Sequence, residues 1–369
     1  MTDSSIQRPR LRELGIILGA LSPGPHNAIT DVAGVRVGHS TLIRGAGPLM
    51  PGNGPVRTGI TAILPHAGHP LREKVPAAIH VINGAGEVTG RSVVDEWGLL
   101  DSPICLTSTL NVGLVYDAVV EWMARSNDLS VDDWAIPVVA ETYDGALNDA
   151  QGRHVRAQHV LAALDAASGG PMAEGSVGGG TGMMCYQFKG GIGTASRLVA
   201  TAGGAWMVGA LVQANHGRRR QLRVGGLPAG ELLRAPLPQR RQDGSIIIVL
   251  ATDAPLDAHQ LKRVALRGGM GLARTGSTAQ NGSGDFTIAF SNYPGNRVAP
   301  GARGTPRTLT TLHNDDISPL FDATAEAVEE AILNALCVAG DMTGRDDFFV
   351  PGLPVDELRA LWQAHHPAP

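Results

Sequence analysis

Apolar and polar residues alternate through Gly34-Val35-Arg36-Val37-Gly38-His39, the two-residue period of a half-buried strand. Short apolar runs at 60–64 and 77–82 end at Pro65 and at Asn83-Gly84, which predicts buried strands followed by turns. Helical spacing appears at 115–123 (Val115, Val119, Trp122, Met123) and at 155–167 (Val155, Val160, Leu161, Leu164). A further apolar strand is expected over 205–214, stopping at Asn215-His216-Gly217. From 217 to 243 the character changes. Arg218, Arg219, Arg220, Arg223, Arg234, Arg240 and Arg241 stand against only Glu231 and Asp243, and Gly225, Gly226, Pro228, Gly230, Pro236 and Pro238 interrupt any regular element. An exposed, flexible connector is expected there. It runs through Gly244-Ser245 directly into Ile246-Ile247-Ile248-Val249-Leu250, a run that reads as a fully buried strand. Asp257 is placed to cap a helix with Leu261, Val264, Ala265 and Leu272 inward. After a polar loop over 274–284, Phe286, Ile288 and Phe290 alternate as a half-buried strand. Ser318-Pro319 opens a helix whose core stripe is Phe321, Ala325, Val328, Ile332 and Leu336.

Composition narrows the class. Of 369 residues, 43% are hydrophobic and 17% charged, which suits a folded globular enzyme and excludes a disordered chain. Only 4% are aromatic, so Ala, Val, Leu and Ile must build the core. The 48 glycines and 24 prolines show no three-residue period and point to tight turns and close backbone approaches. A net charge of −4, and no aromatic residue among the connector's arginines, argue against a nucleic-acid partner. The apolar run at 14–21 is too short to cross a membrane, no A-x-A site follows it, and no later stretch is long and apolar enough for a transmembrane helix. It is expected as the first ordered segment of a soluble, cytoplasmic protein. Cys105, Cys185 and Cys337 lie far apart without a CxxC pair and are expected as reduced, buried thiols.

Several chemistries fail on spacing. HExxH is absent, and His66 and His69 sit in a Pro/Gly turn, so no metal site is supported. Gly-x-Ser-x-Gly does not occur; Gly282-Ser283-Gly284 lacks the spacing. The glycine clusters at 175–182 and 190–194 give neither GxGxxG nor a phosphate loop. The Gly244-Ser245 junction offers another route. A serine opening a core strand after a flexible linker can attack the preceding carbonyl. The acyl group then shifts from nitrogen to oxygen, and the ester hydrolyses. Ser245 would emerge with a nucleophilic hydroxyl and a free α-amine of pKa about 7.7–8.0, fit to act as a base. On its own the Gly-Ser pair reads first as an ordinary turn before a strand.

The ordered set of motifs changes that balance. It comprises residues 27–39, Asn83-Gly84-Ala85-Gly86-Glu87, Val138-Val139-Ala140-Glu141-Thr142-Tyr143-Asp144-Gly145 and Gly180-Thr181-Gly182-Met183. Then follow residues 188–197, Ala214-Asn215-His216-Gly217, Asp243-Gly244-Ser245-Ile246, residues 271–277 and Gly282-Ser283-Gly284-Asp285. Over nearly its whole length the chain resembles the L-aminopeptidase D-Ala-esterase/amidase family, the DmpA-like peptidases that include β-aminopeptidases. The resemblance implies one α/β catalytic domain over 1–369. Its fold would be a four-layer αββα sandwich like that of N-terminal nucleophile hydrolases but with different connectivity, shared more broadly with ornithine acetyltransferases. It implies self-cleavage at Gly244-Ser245 into products 1–244 and 245–369, which stay together and assemble as a homotetramer of αβ pairs. No metal or organic cofactor is implied.

Carried over residue by residue, the resemblance makes Ser245 the nucleophile for self-cleavage and for substrate acylation. Asn215 would donate to the tetrahedral oxyanion, and Tyr143 would hold or polarise the reacting group. Ser283 and Asp285 would orient Ser245 or relay its proton; some relatives have glutamate in place of Asp285. Glu141, two residues before Tyr143, would face the same side of a strand and hold a substrate ammonium. Blander readings stand beside these: Asn215 as a strand-end turn, Tyr143 as a core tyrosine, Glu141 as an exposed charge or an arginine's partner, Ser283 and Asp285 as a local turn. His216 is a further candidate base to which the resemblance gives no role. The expected activity is release of N-terminal residues from short peptides, amino-acid amides or esters. An amine acyltransferase on the same fold, or an unprocessed small-molecule-binding protein, are the rivals. Preference among L-, D- and β-amino acids is not written in these residues.

Overall fold

The computed structural model describes residues 8–125, 133–239, 244–299, 304 and 306–367. In chain order the first elements are β1 (Arg36–Arg44), β2 (Val56–Leu64), β3 (Val75–Gly84), α1 (Arg91–Trp97), β4 (Leu99–Leu100), β5 (Ile104–Ser108), α2 (Val112–Arg125), β6 (Val138–Thr142) and α3 (Ala157–Asp165). A small hairpin, β7 (Met184–Cys185) and β8 (Phe188–Lys189), leads to β9 (Gly191–Thr201), β10 (Gly204–Asn215) and α4 (Ala229–Leu232). Then come β11 (Ser245–Thr252), α5 (Ala258–Arg274), β12 (Gly284–Ser291), α6 (Ser318–Val338), the hairpin β13 (Met342–Thr343) and β14 (Phe349–Val350), and α7 (Val355–His365).

Two sheets stack face to face. One has the order β1-β2-β5-β6 and the other β4-β3-β12-β11-β10-β9. Their facing sides meet through Ile63, Ile104, Leu106 and Ala140 on one sheet and Ile79, Leu211, Ile247, Val249 and Ile288 on the other. Helices α2 and α3 cover the outer face of the first sheet through Val115, Val119, Val160 and Leu164. Helices α5 and α6 cover the second through Leu261, Val264, Val328, Ala331 and Ile332. The result is the four-layer αββα sandwich. Strand β11 shows why its isoleucine run is continuous. Ile246, Ile248 and Leu250 face the α5/α6 layer, while Ile247, Val249 and Ala251 face the other sheet, so both faces are dry.

The connector differs from expectation. Within 217–239, Leu222, Val224, Ala229 and Leu233 enter the core that α5 and α6 share, Leu227 is buried, and Ala229–Leu232 is helical. Arg219 is buried and donates to the carbonyls of Tyr186, Gln187, Ala235 and Pro236. This stretch is anchored by its buried apolar residues and Arg219, while Arg218, Arg220 and Arg234 are exposed; residues 240–243 lie outside the described residues. Helix α6 is also buried more widely than its apolar stripe. Glu330 is closed off by Arg12 and Arg197, Glu326 by Arg197, and Asn334 by the Leu11 backbone, all from distant parts of the chain. The early apolar segment is ordered, with Leu11, Leu14, Ile16 and Leu18 in the same core. Asp257 caps α5, accepting from the Gln260 N–H at 2.8 Å. All three cysteines are free and buried. Among the described residues no helix is long and apolar enough to cross a membrane, and no three metal-ligating side chains cluster.

Candidate active site

The middle strands of the six-stranded sheet bring the site together at one end. Asn215 is the last residue of β10 and Ser245 the first of β11, and the two are direct antiparallel partners. Strand β12 runs parallel to β11, pairing Ile246 with Asp285. Three residues distant in sequence therefore meet by register alone. Gly244 approaches Asn215 so closely that a Cβ there would lie 1.8 Å from the Asn215 carbonyl oxygen. Only glycine fits before Ser245.

Ser245 is 7% exposed, and its Oγ accepts from the Gly284 N–H at 3.0 Å. One residue to either side of Gly284, the Ser283 hydroxyl donates to Asp285 Oδ1 at 2.6 Å. The same oxygen accepts from the Ile246 N–H at 3.2 Å, while Oδ2 has no hydrogen-bond partner among the described residues. Burial pushes the Asp285 carboxyl up to about 6; the two donors pull the other way and are outweighed. An acid poised there is ionised at neutral pH yet still basic enough to take a proton.

Asn215 links the two sheets. Its Oδ1 accepts from the Met184 N–H at 2.8 Å, and its Nδ2 donates to the Tyr143 carbonyl at 2.9 Å. A donor on one side and an acceptor on the other fix which end of the carboxamide is which. A held side-chain N–H next to the Ser245 hydroxyl has the chemistry of an oxyanion donor. Two residues back, Gln213 Nε2 makes a similar bridge to the Thr107 carbonyl and the Thr142 hydroxyl, both at 2.9 Å.

Tyr143 and Glu141 do not share a strand face. Strand β6 stops at Thr142; Tyr143 follows it, 42% exposed, whereas Glu141 is 3% exposed. Glu141 accepts from the Glu87 N–H at 3.1 Å and from the Thr109 hydroxyl, and burial raises its carboxyl above the ordinary range. His216 is fully enclosed, edge-on to Tyr186 at 5.0 Å between centroids, and burial pushes its imidazole down to about 3. It sits as a neutral, buried ring packed against Tyr186. The glycine-rich 175–182 segment is backbone packed on backbone: a Cβ at Gly180 would lie 2.4 Å from the Ile192 nitrogen. Two groups escaped the sequence reading, the Met184 N–H that donates to Asn215 and the buried Lys189, whose Nζ donates to the Met183 carbonyl. The one signal was a lone lysine inside Phe188-Lys189-Gly190-Gly191-Ile192.

Comparison with known proteins agrees with this geometry. Residues 27–350 match peptidase family S58. A β-peptidyl aminopeptidase from Sphingosinicella microcystinivorans is 47% identical over 373 residues, 97% of this chain and 93% of the relative. A solved β-aminopeptidase from a Burkholderia species is 48% identical with a TM-score of 0.89, over 98% of this chain and all of that one. The L-aminopeptidase D-Ala-esterase/amidase of Ochrobactrum anthropi is 41% identical with a TM-score of 0.90, over 97% and 99% of the two chains. That structure is described as a prototype for the serine aminopeptidases and a variant of the Ntn-hydrolase fold.

Proposed function

The chain belongs to peptidase family S58 and is a serine-type aminopeptidase; on that premise we propose that Ser245 first cleaves its own chain and then carries the substrate's acyl group. In the first step Ser245 Oγ bonds to the Gly244 carbonyl carbon, the Gly244–Ser245 C–N bond breaks, and the hydroxyl proton passes to the nitrogen. Water then hydrolyses the ester, giving a Gly244 carboxylate and a free Ser245 amine. In turnover the same oxygen attacks a substrate carbonyl, the amine or alcohol leaves with a proton, and water releases the acid. Asp285, relayed by Ser283, accepts the hydroxyl proton, and the Ser245 α-amine is a second base once it is free. Asn215 supports the oxyanion, Tyr143 lines the approach, and Glu141 holds the ammonium of a substrate with a free N-terminus. The substrates are short peptides, amino-acid amides and esters. We would screen β-amino-acid amides first, because two of the relatives are β-peptidyl aminopeptidases.

The observation that carries this reading is the Asn215–Ser245–Asp285 register, with a Gly244 that admits no side chain. Denaturing mass analysis of wild type beside Ser245→Ala tests it. By length, the wild type is expected to give fragments of about 25 and about 13 kDa, and the variant a single 38.4 kDa chain. A folded wild type that stays whole and inactive overturns the proposal. Processed chains are proposed to assemble as a tetramer of paired products, which sedimentation velocity reads directly.

A further inference from the structure

Two of the largest fully buried side chains are cations, Arg197 and Lys189. Arg197 is neutralised by Glu326 and Glu330. Lys189 has no carboxylate at ion-pair distance among the described residues. Its Nζ donates instead to three carbonyls, those of Gly180 at 3.2 Å, Met183 at 2.9 Å and Gly190 at 2.7 Å. An ammonium has three N–H donors and no lone pair, so this cradle satisfies it completely. A neutral amine would turn its lone pair on a carbonyl oxygen. The cradle therefore favours the charged form, against burial, which pulls the group down to about 7.

One of those carbonyls matters to the active site. The Met183 carbonyl belongs to the same peptide unit as the Met184 N–H, and that N–H donates to Asn215 Oδ1 at 2.8 Å. The ammonium, the 183–184 peptide and the Asn215 carboxamide thus form an unbroken hydrogen-bonded chain, ending at Nδ2 across the strand pair from Ser245. We propose that Lys189 is a positioning residue for acyl transfer, a buried cation that orients and polarises the Asn215 carboxamide through the single peptide unit between Met183 and Met184. Each link draws electron density toward the cation. The Met184 N–H becomes a stronger donor, Oδ1 is more polarised, and the Nδ2 hydrogens respond more strongly to charge on a tetrahedral oxygen. The inference rests on the reading of Asn215 as the oxyanion donor.

Lys189→Met keeps the length and removes the charge. Steady-state kinetics on a chromogenic amino-acid anilide, with affinity for an aminoalkyl boronic acid that mimics the tetrahedral adduct, give the test. Expected are a kcat lower by about 10- to 100-fold, a parallel loss of boronate affinity, and a KM within about 2-fold, since a ground-state carbonyl gains little from the chain. Unchanged kcat and boronate affinity, or a kcat loss matched by an equal rise in KM, overturn the proposal. Should the variant fail to fold or mature, the wild type decides. Lys74, Lys189 and Lys262 are its only lysines, so 15N-lysine labelling gives three Nζ signals to follow by NMR. A Lys189 ammonium that is charged at the working pH and becomes less acidic when the boronate binds supports the chain. One that is neutral, or indifferent to the adduct, refutes it. A wild type without self-cleavage or anilidase activity sinks the Ser245 reading, whereas an active wild type with an indifferent Lys189 sinks only this one.

Discussion

Asp285 is the residue whose protonation decides whether the proposed site works. Its carboxyl, pushed up to about 6 by burial, accepts from Ser283 and from the Ile246 N–H through one oxygen only. Below about 6 it carries the proton and cannot take another; above, it is a carboxylate facing a hydroxyl. The sign is therefore fixed: self-cleavage and kcat/KM rise with pH through about 6 and then level. Asp285→Asn is expected to flatten that limb and to lower the plateau by about 100-fold. Initial rates between pH 4.5 and 8 would show it, and an unaltered acid limb in the variant would assign the base elsewhere. Glu141 makes a separate prediction. If it holds the substrate ammonium, Glu141→Gln raises KM for substrates with a free amine by about 10-fold or more, the worth of one charged hydrogen bond. N-acylated esters would be unaffected. Equal losses on both substrate types would mean that Glu141 only holds Glu87 and Thr109 in place.

At the scale of elements, the β10–β11 junction does most for the chemistry. Ser245 pairs with Asn215, and Gly244 lies against the Asn215 carbonyl with no room for a methyl group. Gly244→Ala must push the two strand ends apart. The expected cost is about 1–3 kcal/mol in urea unfolding, with self-cleavage slowed by at least about 10-fold because the attacked carbonyl is displaced. A variant that cleaves at the wild-type rate would show that the close approach is not needed. This junction was legible in the sequence because a five-residue apolar run announces a strand buried on both faces. The roles around it were legible only through the ordered motifs. What stayed hidden depended on distant partners. The apolar stripe of α6 was visible, but Glu326, Glu330 and Asn334 are buried by Arg12, Arg197 and Leu11, which no periodicity can pair. The connector's Leu222, Val224, Leu227 and Leu233 follow neither the helical nor the strand period, and arginines surround them. Lys189 stood in the sequence only inside the 188–197 motif, without a role, since its acceptors are backbone carbonyls that carry no sequence signal. Tyr143 was expected on a strand face because the end of β6 has no Gly or Pro before it to mark the stop.

Across the whole molecule, the proposed cut falls between elements that cannot easily part. Residues 245–369 supply β11 and β12, the two middle strands of the six-stranded sheet, while residues 1–244 supply β3 and β10 on either side of them. Residues 246–250 are wholly buried on both faces. At about 1.5–3 kcal/mol for each such side chain, drawing this strand out exposes apolar surface worth on the order of 10 kcal/mol. The Arg12–Glu330, Arg197–Glu326 and Arg197–Glu330 ion pairs, closed off inside the folded molecule, also join the two products. Self-cleavage should therefore free an amine without freeing a fragment. A tag on the 1–244 product is expected to retain the 245–369 product through size exclusion and high salt. Urea should separate the two in one cooperative transition that coincides with loss of activity. If the products part in native buffer, or activity survives their separation, then the strands flanking β11 do not hold the matured site together.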